Sequence, residues 1–158
     1  PLGGEAEVLE QIRQLNLKLS GRGVVVSVMN KRDGRALIYV YREAMLKKAL
    51  ENRETAEFLK TCGYGGLNVE KAVARLKGRL AQSDGFPHEI GVFLGYPLGD
   101  VIGFIQNGGK NCKCVGCWKV YCNECEAKKT FEKFKKCTGI YRRLYETGKS
   151  VLQLTVAV

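Results

Sequence analysis

The chain has no long apolar run, and its 158 residues contain only one histidine, one tryptophan and three prolines. No stretch approaches the roughly 20 apolar residues of a membrane-spanning helix, so the sequence predicts no membrane span. A single histidine excludes the paired histidines of a zinc protease, and no nucleophilic triad can be proposed, although a Cys–His pair stays open. The glycine-rich runs lack the residues and spacing of a phosphate-binding loop.

The chain also has no visible secretory leader, and its seven cysteines are an odd number. Secreted disulfide frameworks favour even counts in short chains, so we expect reduced thiols and a cytoplasmic location. The length predicts a single domain over residues 1–158 that can bury a core without disulfides. Because the first residue is not methionine, an N-terminal segment could be missing.

Hydrophobic periodicity predicts an α+β fold in which helix exceeds strand. A β-branched run, a turn at 30–34 and a run of strand formers predict a hairpin at about 24–42. Both faces of the second strand are apolar, so we expect this small antiparallel sheet to be covered at least partly on both sides. Several helices should surround it. They are predicted over residues 5–20, 43–51, 54–61, from 69 after a cap at Asn68, and over 88–94, 98–106 and 126–146.

The positive charge is concentrated in the last third of the chain. Residues 110–158 carry eleven bases and four acids, a net charge of +7 out of the total of +10. Such a face recruits nucleic acid, acidic lipid or an acidic protein, or it is a solvated lysine surface. Trp118 and Tyr121 with Lys119 could form an aromatic and basic nucleic-acid surface, although no recognised binding motif is present. The alternative is that Trp118 anchors the last helix, whose apolar face includes Phe131, Phe134, Tyr141 and Tyr145.

Five of the seven cysteines form a cluster, at Cys112, Cys114, Cys117, Cys122 and Cys125. Two Cys-x2-Cys units are present, and this spacing lets both sulfurs of a unit reach one ion. Only four residues separate the units, fewer than in most structural zinc modules, and the spacing matches neither common ferredoxin pattern. Zinc, an iron–sulfur cluster, reactive thiols and ordinary cysteines all stay open. Cys62 and Cys137 are expected to be of the ordinary kind.

A second candidate site centres on His88. The histidine could be a ligand or an acid–base group, or it could be structural, and Glu89 is expected to be a first-turn acid of a helix. Together with Tyr96 and Trp118 these residues could line a pocket for a small ligand or a substrate.

The sequence also resembles a known family. The run Phe-Pro-His-Glu-Ile-Gly-Val-Phe-Leu-Gly-Tyr-Pro at residues 86–97, with residues 100–105, 109–111, 117–121 and 35–42, is similar to small proteins from anaerobic, mostly Gram-positive bacteria. That family is known only as a domain of unknown function, and the resemblance covers residues 5–155. Its members usually carry an extra N-terminal segment with a Cys-x-Pro-Thr-Leu-Ala-Gly-like run, which this chain lacks and which could add a strand beside the hairpin. The family's genes, near flavodoxins and ferrous-iron transport, imply iron or redox physiology and a flavodoxin-like or other acidic protein as partner.

The leading hypothesis is therefore a non-enzymatic accessory protein that binds a metal or a redox partner through the cysteine segment. A nucleic-acid-binding module and a small-ligand binder or enzyme around His88 are the alternatives.

The metal hypothesis predicts that serine at both Cys114 and Cys117 abolishes the metal content of protein purified without oxygen. The loss follows because a Cys-x2-Cys unit supplies two of the four ligands. Elemental analysis and the visible absorption spectrum measure it, with Cys62→Ser as the control. Unchanged metal content in the double variant would contradict the hypothesis.

Overall fold

The computed structural model describes residues 5–32, 34–82 and 85–156. The chain divides into two compact units, Pro1–Ile90 together with Val156–Val158, and Gly91–Thr155. The expectation of one domain over residues 1–158 stays a prediction.

The first unit is built on a β-hairpin. Strand β1 (Val24–Arg32) pairs antiparallel with β2 (Arg35–Arg42). Val26 lies opposite Val40, and a bulge interrupts the register between Val28 and Asn30. The predicted hairpin is confirmed, and Asp33 of its predicted turn lies outside the described residues.

Helices surround this hairpin in the first unit. They are α1 (Glu5–Leu19), α2 (Glu43–Glu51), α3 (Arg53–Thr61), α4 (Val69–Ala81) and the start of α5 (Ile90–Phe93). The predicted cap of α4 is confirmed, because the Asn68 side chain accepts a hydrogen bond from the backbone N–H of Lys71. Helix α5 is shorter than the predicted helix over 88–94.

The hairpin is covered unevenly. Val24 and Val26 of β1 form a buried cluster with Leu19, against which Ile12 packs. On β2, by contrast, Ile38 and Val40 remain 39% and 58% exposed. The predicted cover on both faces of the sheet therefore fits β1, whereas β2 leaves Ile38 and Val40 exposed on one face.

The outer edge of β1 is closed by a side chain of α1. Asn16 Nδ2 donates to the Val26 carbonyl, and Asn16 Oδ1 accepts from the Val26 N–H, both at 2.8 Å. A primary amide presents one donor and one acceptor side by side, as a neighbouring strand does. Asn16 therefore satisfies the two backbone groups that Val26 directs away from β2.

The second unit contains the rest of α5, then α6 (Leu98–Gln106), β3 (Cys114–Val115), β4 (Lys119–Val120), α7 (Glu124–Glu146) and α8 (Val151–Leu154). Strands β3 and β4 form a second, short antiparallel hairpin, where a strand over residues 118–121 was predicted. Helix α7 begins two residues earlier than predicted, because Asn123 accepts from the Glu126 N–H and caps it. Helix α8 was not predicted, although the capping box of Ser150 and Gln153 was a visible signal.

Helix exceeds strand among the described residues, which confirms the predicted α+β class. No helix within those residues combines the length and the apolar character that crossing a membrane requires.

We predict that Asn16→Ala lowers the free energy of unfolding by about 1–3 kcal/mol, because two backbone groups of β1 lose their partners. Urea unfolding followed by circular dichroism measures the change. Leu17→Ala is the control, since Leu17 is exposed on the same helix, and its effect should stay within about 0.5 kcal/mol. Equal stabilities of the two variants would contradict the role assigned to Asn16.

Candidate functional site

The cysteine segment folds around the β3–β4 hairpin of the second unit. Cys112 precedes β3, Cys114 lies in it, Cys117 lies in the turn, Cys122 follows β4 and Cys125 lies in the first turn of α7. Cys112 and Cys114 are half-buried, whereas the other three thiols are exposed. None of the five forms a disulfide among the described residues.

Two of these thiols share one charged neighbour. The hydrogen bond that Lys128 Nζ donates to the Glu124 carboxylate is the main cause of the raised pKa of Lys128, and the nearby thiols of Cys114 and Cys125 raise this pKa further. Cys114 and Cys125, one from each Cys-x2-Cys unit, therefore both lie near the Lys128 ammonium group. Even so, within residues 5–32, 34–82 and 85–156 no group of three or more histidine, cysteine or acidic side chains is placed to hold a metal ion. The proposed metal ligands stay a prediction.

A buried carboxylate on α6 holds the hairpin. Asp100 Oδ2 accepts from Trp118 Nε1 at 2.7 Å, and Oδ1 accepts from the backbone N–H groups of Tyr121 and Cys122 at 2.8 and 2.9 Å. One side chain thus fixes the turn, the end of β4 and the approach to α7. Sequence reasoning missed Asp100, and the only signal was an acid within an otherwise apolar helical run.

Trp118 joins three elements through its ring. It stacks on Tyr96 with a centroid distance of 5.2 Å and meets the Phe131 ring of α7 edge-on at 4.6 Å. A Cβ added at Gly116 would lie 2.2 Å from that Phe131 ring, so only glycine fits in the turn. These contacts give Trp118 the position of an anchor for α7, and its role as a partner surface stays a prediction.

Lys119 and Tyr121 are also held by local contacts. Lys119 Nζ donates to the Gly109 carbonyl at 2.7 Å and lies 5.8 Å from the centre of the Phe104 ring. The Tyr121 hydroxyl is buried without a hydrogen-bond partner among the described residues, and desolvation raises the pKa of Tyr121. The aromatic and basic nucleic-acid surface of Trp118, Lys119 and Tyr121 stays a prediction.

The His88 region belongs to the first unit and contains a buried ion pair. Glu89 Oε1 lies 2.7 Å from Arg79 Nε and accepts from the Tyr64 hydroxyl at 3.0 Å. Burial, and then the Glu89 charge, raise the pKa of Tyr64. Glu89 is not the first-turn acid that was expected, because α5 begins only at Ile90.

The four residues of the predicted ligand pocket are divided between the units. His88 and Glu89 lie in the first, and Tyr96 and Trp118 lie in the second. The His88 ring lies 5.8 Å from that of Phe86. A shared pocket stays a prediction.

A groove that sequence reasoning missed runs along α7 and α8. Its volume is about 690 Å³, and a smaller cavity of about 380 Å³ shares part of its lining. The groove is lined by Cys117, Phe134, Cys137, Thr138, Tyr141, Arg142, Tyr145 and Leu154. Phe134 and Tyr145 are 50% and 61% exposed. Cys137 is exposed as well, which corrects the expectation that it is an ordinary buried cysteine.

We predict that Asp100→Ala lowers the free energy of unfolding by about 3 kcal/mol, because three part-buried donors lose a charged acceptor. Chemical unfolding followed by Trp118 fluorescence measures the loss. Asp100→Asn, which can keep the two backbone bonds at Oδ1, should lose less. An Asp100→Ala variant as stable as the parent protein would contradict the anchoring role of this carboxylate.

Comparison with known proteins gives a family without an assigned activity. No curated protein matches the chain, and no solved structure matches it. The model of one protein family, described as "Protein of unknown function (DUF3793)", matches residues 4–155. Since the match covers nearly the whole chain, the protein belongs to the DUF3793 family.

Proposed function

We propose that the protein is an accessory protein that binds an acidic partner protein in the groove along α7 and α8. The observation that carries the proposal is the groove itself, a concave apolar surface of about 690 Å³ on the longest helix. Contiguous exposed apolar surface marks sites where other molecules bind. A flavodoxin-like protein is one acidic partner that the family resemblance implies.

The shape of the groove supports an amphipathic helix as the bound element. Phe134, Tyr141 and Tyr145 recur at helical spacing along α7, and Leu154 of α8 closes the other side. Residues 132–143 of α7 are exposed at every position. A partner helix that places its apolar face between α7 and α8 would bury these rings, as in other helix-in-groove complexes.

The charge around the groove supports an acidic partner. Five bases lie between residues 131 and 143, against the single acid Glu132. They are Lys133, Lys135, Lys136, Arg142 and Arg143. Lys128 and Lys129, one to two turns earlier, are paired with Glu124 and Glu126, whereas no ion pair among the described residues engages these five. Acidic residues flanking the partner's apolar face would find complementary charge on this rim.

Aromatic rings beside basic side chains also occur on surfaces that bind single-stranded nucleic acid. A protein is favoured because most of the groove lining is apolar and Leu154 of α8 adds an aliphatic wall that a base does not need for stacking. The experiment must therefore distinguish binding of a protein helix from binding of nucleic acid.

The cysteine segment supports a second candidate function, which is metal or redox chemistry. The position of Cys114 and Cys125, one from each Cys-x2-Cys unit, near the ammonium group of Lys128 supports it. Zinc or an iron–sulfur cluster would be the group bound, and the Cys114 and Cys117 double variant tests this candidate separately.

The groove proposal predicts saturable binding of a fluorescent helical peptide with leucines at i, i+3, i+4 and i+7 and glutamates elsewhere. Replacing both Tyr141 and Tyr145 with alanine should weaken this binding at least about tenfold, or about 1.4 kcal/mol. Fluorescence anisotropy measures the affinity. Ile140→Ala is the matched control, because Ile140 is 48% exposed on α7 and does not line the groove.

A scrambled peptide of the same composition separates groove binding from simple charge attraction. Equal affinity for the scrambled peptide, or an equal effect of Ile140→Ala, would contradict the proposal. A labelled oligonucleotide that binds with a steep salt dependence and loses affinity in the double tyrosine variant would assign the surface to nucleic acid instead.

A further inference from the structure

We propose that the cleft between the β1–β2 hairpin and α4 binds a linear ω-amino acid. Such a ligand carries an ammonium group and a carboxylate at opposite ends of a hydrocarbon chain. The cleft has a volume of about 430 Å³, which is typical of small-molecule sites. All its lining residues belong to the first unit, and none of them lines the groove of α7 and α8. The proposal is therefore independent of the proposed partner protein.

Two contacts fix the direction of α4 along this cleft. Glu70, in the first turn of α4, lies near enough to Tyr41 to act on its hydroxyl, and Tyr41 lies opposite Val25 of β1. At the other end of the helix, the Leu80 carbonyl accepts a hydrogen bond from Asn30 Nδ2 at 2.9 Å. Helix α4 therefore runs in the same direction as β1, and the residues at each end of the cleft can be identified.

One end of the cleft is acidic. Glu43, in the first turn of α2, and Glu70 both line it together with Tyr41. Burial raises the pKa of Tyr41, and the charges of the two carboxylates raise it further, so both lie near the hydroxyl. Two carboxylates and a phenol oxygen can all accept hydrogen bonds from one ammonium group. Because each helix N-terminus contributes about half a positive charge, about one net negative charge remains at this end, which matches a single ammonium group.

The other end of the cleft is basic. Lys77 lies two turns after Glu70 on α4, which places it about 10 Å further along the helix axis. Ser27 lies on the same side, since it follows Val25 on the strand along which α4 runs. The lysine ammonium and the serine hydroxyl can both donate hydrogen bonds to a carboxylate. An α-amino acid, whose two charged groups flank one carbon, cannot reach both ends, whereas an ω-amino acid can.

Between its two ends the cleft is apolar. Val25 of β1 and Val73 and Ala74 of α4 line this middle part. A hydrocarbon chain that packs against them would be removed from water, which stabilises the complex. A short peptide with charged termini is a poorer ligand, because its amide groups would lie against side chains that offer them no hydrogen bonds.

The charged side chains of the cleft have no partners of their own. In the part of the chain that the structure describes, no ion pair includes Glu43, Glu70 or Lys77. Glu51 and Glu57, on helices of the same unit, each pair with a base one turn away. A position at the start of a helix favours an acid at Glu43 and at Glu70, but it does not explain why both line one cleft that has a lysine at its far end.

The test titrates the protein with ε-aminocaproate, a linear ω-amino acid, and with hexylamine and hexanoate, which have the same chain length and one charge each. Isothermal titration calorimetry measures the affinities, and changes in amide chemical shifts locate the ligand. We expect ε-aminocaproate to bind saturably and at least about tenfold more tightly than either other compound, because it alone engages both ends. The shift changes should be concentrated in residues 25–27, 41–43 and 69–77.

Two substitutions separate the ends of the cleft. Lys77→Met should weaken ε-aminocaproate binding at least about tenfold without weakening hexylamine binding, because only the carboxylate loses its partner. Glu70→Gln should weaken the binding of ε-aminocaproate and of hexylamine alike, because both compounds carry the ammonium group. Lys71→Met and Glu54→Gln are the matched controls, since Lys71 and Glu54 are exposed helical residues that do not line the cleft.

All four substituted residues are exposed, so the variants should fold, and unfolding curves check this. The comparison of the three compounds on the unchanged protein tests the proposal even where a variant does not fold. Absence of saturable ε-aminocaproate binding, or an affinity no higher than those for hexylamine and hexanoate, would overturn the proposal. So would a Lys77→Met variant that loses hexylamine binding to the same extent, or shift changes that lie outside the cleft.

Discussion

The Asp100 carboxylate is the constraint on which the second unit depends. It is buried, and its two oxygens accept hydrogen bonds from the Trp118 ring and from the backbone N–H groups of Tyr121 and Cys122. A buried carboxylate without hydrogen-bond partners would cost several kcal/mol, and these three bonds offset the cost of burying Asp100. Asp100 thus holds the hairpin that carries the cysteines against α6. The Trp118 ring, fixed by Asp100, packs in turn against Phe131 and so positions α7.

Local structure could be predicted from the sequence where it depends on neighbouring residues. The hairpin at 24–42, the cap at Asn68 and the helix over residues 98–106 follow from β-branched runs, capping residues and helical periodicity. The partners of Asp100 and Glu89 could not be predicted in this way. Asp100 reaches residues about twenty positions away, and Glu89 bonds Tyr64 twenty-five positions away. Side-chain pairing at such separations depends on the packed fold rather than on local spacing.

Periodicity also could not tell a buried face from a binding face. Phe131, Phe134, Tyr141 and Tyr145 form one apolar stripe in the sequence, which is typical of a helix that faces a core. Phe131 does contact Trp118, but Phe134, Tyr141 and Tyr145 are exposed along the groove. The same pattern of residues thus serves packing at the start of α7 and leaves an open apolar surface in its second half.

The proposed groove of α7 and α8 rests on one kind of unsatisfied chemistry. It exposes apolar rings whose burial releases water, whereas the helix backbone groups there are already paired. A partner helix, whose backbone groups are paired internally, therefore suits the groove better than an extended strand, whose open donors and acceptors would find no partners in it.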